Sequence, residues 1–462
     1  GSANYDVGHL VGTGGGGVAS LGVICTTSKA RGLTGSGVPV GDAFDVDYVA
    51  HELGHQFGGN HTFNGDSGSC SGGNRNGSTA YEPGSGSTIQ AYAGICGNDN
   101  LQSNSDAYFH GISLDEMTAH VTTGSGGTCG TTITTGNPIP VVSVPSGFTI
   151  PAETPFSLTG SATDDTPGSL TYTWEEFDLG PQADVNAGTV PLFRSFLPTA
   201  SGTRVFPQLD RLLDGLPPVI GETLPTAAGT YTFRLTARDN NPGAGAIHDA
   251  SLDVDVVATG SPFAVTFATT PGEIYASGST TVTWNVAGTN AGAINTPTVD
   301  ILLATDGETF DTVLAAATPN DGSQTVSFPA VETSDARIMV RAVGNIFFNV
   351  NPQPFTISDA EPPAIAVAPG SISRTLPVDG TSSETVTVSN TASSGALDLS
   401  WSVDVVTDAE RLRPQAPAAR DLPKGSAEAD GTAGKRAPRH VVRPVILSPG
   451  RTRTLPPAFG AP

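Results

Sequence analysis

Three tryptophans in short alternating patterns constrain the fold of this 462-residue chain more than any other feature. Trp174, Trp284 and Trp401 end the runs LTYTW, TTVTW and LDLSW, and about 110 residues separate each from the next. Such a strand sends alternate side chains to opposite faces, so one large ring can fill the space between two sheets. The pattern predicts one antiparallel β-sandwich for each tryptophan.

Clusters of Gly, Pro, Asn and Ser between these patterns predict the domain boundaries. The first part of the chain holds all four cysteines and six of the eight histidines. The last part combines Ala, Pro, Arg and Lys with little apolar content and cannot bury enough surface to fold alone. The predicted domains are residues 1–133, β modules at 137–259 and 260–358, a partial β module at 361–407 and a disordered linker or tail at 408–462.

The charge balance excludes some classes of partner. Asp and Glu number 44 against 21 Lys and Arg, giving a formal net charge of -23. Such a surface repels nucleic acid and anionic membranes. No run approaches the roughly 18 consecutive apolar residues of a membrane helix, so we expect no membrane insertion.

The four cysteines indicate the compartment. Cys25, Cys70, Cys96 and Cys129 are widely spaced, and none forms the close Cys-x-x-Cys pair of zinc ribbons or redox sites. An even number at such spacing favours two disulfides and an oxidising environment, with buried free thiols as the alternative. The spacing leaves three pairings open.

A metal-binding pattern, HELGHQFGGNH, begins at His51. On a helix, His51 and His55 share one face and can bind one metal ion. Gly58 can take the positive φ that ends the helix, so that His61 supplies a third nitrogen. Glu52 lies beside the open position, where it can act as general base toward a zinc-activated water. The pattern therefore predicts a catalytic Zn2+ site.

Coincidental histidines on a surface helix are the alternative interpretation. His-Glu-x-x-His alone is a weak signal, whereas the added glycine and third histidine make the pattern specific. We expect His9, His110 and His120 to make ordinary hydrogen bonds, so no second catalytic metal is predicted.

Two helices are predicted in this part of the chain. The first covers residues 45–57, with Asp45 or Asp47 as its cap and two glycines at its end. The second begins at Ser113, which forms a capping box with Glu116.

The histidine pattern and its surroundings resemble the metzincin clan of zinc endopeptidases, most closely its bacterial adamalysin/reprolysin-like group. The resemblance covers about residues 5–133 and implies a partial α/β catalytic domain that lacks its upstream half. It implies a secreted zinc-dependent endopeptidase that is extracellular or at the surface of a bacterial cell. Its substrates would be proteins or peptides, and such a partial domain could be inactive in isolation.

The resemblance also assigns roles to other residues. Residues 18–24 match the edge strand that binds extended substrate. Residues 87–94 match the turn that carries a methionine below the zinc, but Gln90 occupies the methionine position. Tyr92 matches the tyrosine that in astacin-like and serralysin-like enzymes binds zinc or stabilises the oxyanion. The resemblance further favours the pairs Cys25–Cys129 and Cys70–Cys96.

The β modules resemble the immunoglobulin-like or fibronectin-like repeats that follow such proteases, which makes the whole chain multidomain. Two acidic turns in the first module, Asp164-Asp165 and Asp239-Asn240-Asn241 with Asp249 nearby, could bind Ca2+ or be ordinary Asx turns. One alternative function is adhesion to a cell surface or matrix ligand through the β modules, with a non-catalytic zinc helix. In another, the modules are only spacers.

Overall fold

The computed structural model describes residues 4–166, 168–359, 364–373, 375 and 383–391. The strand expected around Trp401 and the tail predicted at 408–462 lie outside the described residues. The chain divides into two compact units. The first contains the residues up to 271 together with 278–328 and 335–354, and the second contains 272–277, 329–334 and the described residues from 355 onward.

A small sheet of three strands, β1 (Leu10–Gly12), β2 (Gly16–Ala19) and β3 (Gly32–Gly35), precedes the histidine pattern. The central strand β3 runs parallel to β1 and antiparallel to β2, so β2 forms one edge of the sheet. The strand predicted at residues 18–24 is wrong beyond Ala19, because Gly22 turns the chain with φ 59°. The amides of Gly22 and Val23 then donate to carbonyls of the helix that follows.

Helix α1 consists of three contiguous stretches: Asp42–Phe44, the π-helical Asp45–Ala50, and His51–Gln56. It begins three residues before the predicted start, after Gly41 at φ 78°, and no side chain caps it. The predicted caps Asp45 and Asp47 are therefore wrong, since both lie inside the helix. The Asp47 carboxylate instead accepts a hydrogen bond from the Ser105 amide at 2.6 Å.

Helix α2 (Gly111–Thr122) also begins earlier than predicted. Its cap is His110, whose Nδ1 accepts from the Ile112 amide at 3.2 Å. The predicted capping box at Ser113 is wrong. The Glu116 carboxylate accepts from the amide and side chain of Asn60 at 2.8 and 2.6 Å, so it ties α2 to the loop after α1.

The first β region follows as two packed layers. Strands β5, β11, β10 and β8 form one sheet in that order, while β4 pairs with β7 and β6 pairs with β9. Rings of Phe156, Phe206 and Phe233 meet between the layers with centroids 4.9–5.5 Å apart. Trp174 is buried in β8, as predicted, and its indole donates to the Gly202 carbonyl at 2.9 Å. The elements are β4 (Val141–Ser143), β5 (Phe148–Pro151), β6 (Phe156–Thr159), β7 (Ser161–Thr163), β8 (Thr171–Glu176), β9 (Thr203–Phe206), helix α3 (Leu209–Leu213), β10 (Gly229–Arg238) and β11 (Ile247–Val257).

The second β region is built from a different set of paired strands. Strands β12, β14 and β17 form one sheet in that order, while β15 pairs with both β16 and β18, and β19 pairs with β18. Trp284 is buried in β14, as predicted, and donates to the Asn320 side chain at 2.8 Å. The strands in this stretch of the chain, of which β13 belongs to the second unit, are β12 (Ala264–Val265), β13 (Ile274–Tyr275), β14 (Gly278–Asn285), β15 (Thr298–Ala304), β16 (Thr312–Pro319), β17 (Ser323–Phe328), β18 (Thr333–Ala342) and β19 (Phe348–Val350).

The second unit contains short paired strands. Strand β13 runs parallel to β20 (Phe355–Ile357), and β21 (Ile365–Ala368) pairs antiparallel with β22 (Thr387–Asn390). Within this unit the Tyr275 and Phe355 rings meet edge to face at 5.4 Å. The described chain is thus a small helical N-terminal region followed mainly by β-sheet, which confirms the predicted fold class. None of the described helices has the length and apolar content to cross a bilayer.

Candidate metal centre

The end of helix α1 and the turn after it bring three histidines together. His51 and His55 lie one helical turn apart. Gly58, with φ 103°, ends the helix, and its amide donates to the His55 carbonyl at 2.9 Å. The chain then turns back, so that Nε2 of His55 lies 3.1 Å from Nε2 of His51 and 3.1 Å from Nε2 of His61.

The other ring nitrogen of each histidine faces a backbone carbonyl. The Nδ1–O distances are 2.7 Å for His51 and Ile89, 2.7 Å for His55 and Gly59, and 2.6 Å for His61 and Asn74. A carbonyl only accepts, so each Nδ1 donates and each neutral ring keeps its lone pair on Nε2. Three lone pairs that face one another without a proton are unfavourable unless a cation lies between them.

The charge state of the rings agrees with a metal site. Burial lowers the pKa of all three histidines, well below the ordinary value for His51 and to about 4 for His61. The rings are therefore neutral near pH 7, which is the form that binds metal. Three nitrogens bound tetrahedrally to one zinc at 2.0–2.1 Å would lie about 3.3 Å apart, close to the spacing seen here. The donor set fits zinc.

Glu52 lies next to this donor set, on the same helix. Its side chain is buried, and within the described residues Oε2 has no hydrogen-bond partner. Burial raises its pKa to about 7 in the metal-free chain. The backbone of Gly17, in the edge strand β2, packs against the carboxylate. A buried carboxylate without a partner is suited to accept a proton from a group that enters the site.

Tyr92 lies against the ring of the third histidine. Its ring centroid is 4.5 Å from that of His61 and 5.7 Å from that of His51. The Phe63 ring also stacks on the Tyr92 ring, with centroids 4.6 Å apart. Burial, together with the negative charge of Glu52, raises the pKa of Tyr92 and keeps the phenol protonated. The structure thus brings together all five residues that the sequence singles out for chemistry.

Gln90 lies below the histidines, where the methionine of the turn is expected. Its side chain is fully buried, and its Nε2 donates to the Gly59 carbonyl at 3.2 Å. Its Oε1 has no partner among the described residues and faces Gly54 of helix α1, where a Cβ would lie 2.3 Å away. Gly54 is therefore required for the close approach of this turn to the helix.

The comparison with protein families agrees with this geometry. Residues 1–112 match the family described as Metallo-peptidase family M12B Reprolysin-like. Residues 1–112 are thus similar to this metallopeptidase family. No curated protein sequence matches the chain significantly.

Solved structures similar to the chain are multi-domain β proteins. The fibronectin(III)-like modules of Clostridium thermocellum CbhA align at 13% identity, with 47% of this chain and 94% of that chain covered and a TM-score of 0.17. The FN1-FN3 domains of chicken CNTN1 align at 12% identity, covering 46% and 62% of the two chains with a TM-score of 0.17. Scores this low support no argument, so the description of the β regions depends on their own strand pairing.

Two disulfides cross-link the N-terminal region up to Cys129. Cys25 pairs with Cys129 and Cys70 with Cys96, which confirms the pairs that the resemblance favours. The second disulfide packs with Phe63 and Tyr92 beside the histidines. It therefore links the loop after His61 to the turn that carries Gln90.

Some residues that shape the site gave no signal in the sequence. Asn74 contacts His61 through its backbone carbonyl, which any residue carries, so its identity does not indicate this role. Glu82 is more specific: its buried carboxylate accepts from the amides of Ser87 and Thr88 at 2.8 and 3.1 Å and anchors the turn at residues 87–94. An acidic residue shortly before a Ser-Thr pair could have indicated this role.

The two acidic turns of the first β region form the hydrogen bonds of Asx turns. The Thr166 amide donates to Asp164 at 3.1 Å, and the amides of Asn241 and Ala246 donate to Asp239 at 3.1 and 2.8 Å. Calcium binding at these turns stays a prediction.

Proposed function

We propose that the chain is a secreted zinc-dependent endopeptidase, with His51, His55 and His61 as the zinc ligands. The observation that carries the proposal is the convergence of three Nε2 lone pairs, each fixed by an Nδ1 hydrogen bond to a carbonyl. Such outer hydrogen bonds orient ligand histidines in metal sites. The match of residues 1–112 to a metallopeptidase family supports the same assignment.

Zinc, when bound, supplies a Lewis acid that lowers the pKa of water to about 7. Glu52 is the proton acceptor, because its buried Oε2 has no other partner among the described residues. Tyr92 stays protonated, and its hydroxyl is proposed to donate a hydrogen bond to the oxygen that gains charge as the peptide bond is attacked.

Strand β2 is proposed to bind the substrate. It is an edge strand in the order β1-β3-β2, and no strand of the described chain pairs with its other side. Gly17 of this strand touches Glu52, so a peptide added along β2 would lie close to the proton acceptor. Main-chain pairing of this kind binds extended peptides with little dependence on their sequence.

The two disulfides support export, because such bonds persist in oxidising compartments. We therefore place the protein outside the cell or at a bacterial cell surface. The β regions are proposed to hold the enzyme near a surface or matrix ligand.

The test is hydrolysis of a quenched fluorescent peptide library by the purified full-length protein, with zinc content measured in parallel. We expect one zinc per chain, loss of hydrolysis with chelator and recovery with added Zn2+. The Glu52→Gln variant should retain zinc while hydrolysis falls by ~10²–10⁴-fold, the usual contribution of a general base. A wild-type protein that holds zinc but cleaves no peptide would contradict the proposal and favour the adhesion alternative.

A further inference from the structure

A segment of the first β region lies on the loop that orients His61. We name residues 180–185 the docking segment and residues 62–76 the His61 loop. The docking segment belongs to the long connection between β8 and β9. The His61 loop includes Asn74, whose carbonyl accepts from Nδ1 of His61 at 2.6 Å.

The main contact is made by Arg75, the residue that follows Asn74. Its guanidinium donates to the Gly180 carbonyl at 2.7 Å and to the Asn64 side chain at 2.8 Å. Asn64 in turn donates to the Pro181 carbonyl at 2.9 Å. Arg75 and Asn64 therefore join both ends of the His61 loop to two consecutive carbonyls of the docking segment.

A second set of contacts holds the middle of the loop. The side-chain amide of Gln182 donates to the carbonyls of Gly65 and Cys70 at 2.8 and 3.1 Å. The Val185 amide donates to Asp99 at 3.1 Å. The other oxygen of Asp99 accepts from the amides of Asp66 and Ser67 in the loop at 2.8 and 3.0 Å.

The His61 loop has little regular structure of its own to replace these contacts. Its regular elements in the described chain are the short 3₁₀ turn Gly68–Cys70 and the isolated bridge between Phe63 and Glu82, and the Cys70–Cys96 disulfide ties its middle only. It also contains Gly65, Gly72 and Gly73, which increase the freedom of its backbone. His61, unlike His51 and His55, lies outside helix α1, so its orientation depends on where this loop holds the Asn74 carbonyl.

We propose that the docking segment positions the third histidine of the metal site, with Arg75 and Gln182 as positioning residues. This inference rests on the proposed role of His61 as a zinc ligand. The first β region is then part of the metal-binding unit, in contrast to the alternative in which it is only a spacer.

The test measures metal affinity directly, with Co2+ alone as the probe. Metal-free full-length protein is titrated with Co2+, and the visible absorption of the bound ion reports both affinity and ligand geometry. The variant Arg75→Met/Gln182→Met removes the hydrogen bonds of both side chains while nearly keeping their length. We expect its Kd for Co2+ to rise about tenfold with an altered absorption spectrum, at the low end of the effect of outer-shell partners.

Two controls separate positioning from general loosening. Asp115→Asn weakens another contact between the same two regions, the ion pair with Arg234, which involves no residue of the His61 loop. It should leave the Kd and the spectrum unchanged. Arg75→Lys with Gln182 intact keeps a donor for the Gly180 carbonyl and should restore most of the affinity.

Each outcome has one meaning. Wild-type affinity and spectrum in the double variant would overturn the positioning role, and so would an equal loss in Asp115→Asn. A wild-type protein that binds no stoichiometric Co2+ would overturn the proposed zinc site itself. The unfolding temperatures of the metal-free double variant and of Asp115→Asn are measured as a check on folding. We expect them to match, which would mean that the double variant keeps its fold.

Discussion

The carboxylate of Glu52 lies directly against the backbone of Gly17. A Cβ added at Gly17 would be 2.2 Å from Oε1 of Glu52 and 2.8 Å from its Cδ. The proposed proton acceptor is thus held in place by a residue of the edge strand that has no side chain.

Gly17→Ala should displace Glu52 and lower peptide hydrolysis at least tenfold, because real Cβ contacts do not occur at this distance. Zinc content should be unchanged, since the histidines are not touched. Gly14→Ala is the matched control, because an added Cβ there meets nothing within 4 Å. Equal activity in both variants would show that Glu52 has room to move.

Gln90→Met should be tolerated. The thioether removes Oε1, which has no partner among the described residues, and this should stabilise the fold by about 1–3 kcal/mol. It also loses the hydrogen bond to the Gly59 carbonyl, which should cost about 1 kcal/mol. Stability should hold or rise, as read from urea unfolding, while Gln90→Glu should be strongly destabilised by a buried charge. A marked loss of folding or zinc affinity in the methionine variant would mean that the amide is required.

Reduction should loosen the N-terminal region up to Cys129 and spare the β regions. In the chain-entropy view, disulfides that close loops of 104 and 26 residues each stabilise by roughly 3–5 kcal/mol. Hydrogen exchange before and after reduction should show faster exchange before residue 130 and little change in strands β10, β11 and β14. Equal loss of protection in those strands, or four free thiols in the protein as isolated, would contradict this expectation.

Glu176 should make stability depend on pH. Burial raises its pKa to about 8 although the amides of Leu192 and Phe193 donate to it, against a reference value of 4.5. Between these values the folded chain binds more protons than the unfolded one, so stability falls as pH rises, by up to ~1.4 kcal/mol per unit, and levels off above pH 8. Denaturant unfolding at pH 5–9 should therefore show a flatter profile for Glu176→Gln than for the native chain. An identical slope in both would exclude Glu176 as its source.

The sequence predicted the parts of the site that follow from spacing along a helix. His51 and His55 meet because they are one turn apart, and Gly58 provides the turn toward His61. The burial of Trp174 and Trp284 could be predicted because a large ring in an alternating strand packs in the apolar space between two sheets.

The parts that could not be predicted depend on partners distant in the sequence. Asp47 and Glu116 have the chemistry of helix caps, but their carboxylates instead accept hydrogen bonds from the amides of Ser105 and Asn60. Strand β2 ends early because Gly22 turns toward α1, which the pattern of residues 18–24 does not show. The docking segment was also unpredictable, since it acts mostly through backbone groups.

The pairing of Cys25 with Cys129 closes a ring that contains the whole metal site and both helices α1 and α2. A protease cut anywhere inside that ring, including one made by a second copy of the enzyme in the exposed glycines near Gly72, leaves both fragments covalently attached. Such damage would be invisible on a gel run without reductant and would appear as two bands once reductant is added. A nicked molecule would also keep its histidines together, so ageing preparations should lose their intact polypeptide before they lose their metal.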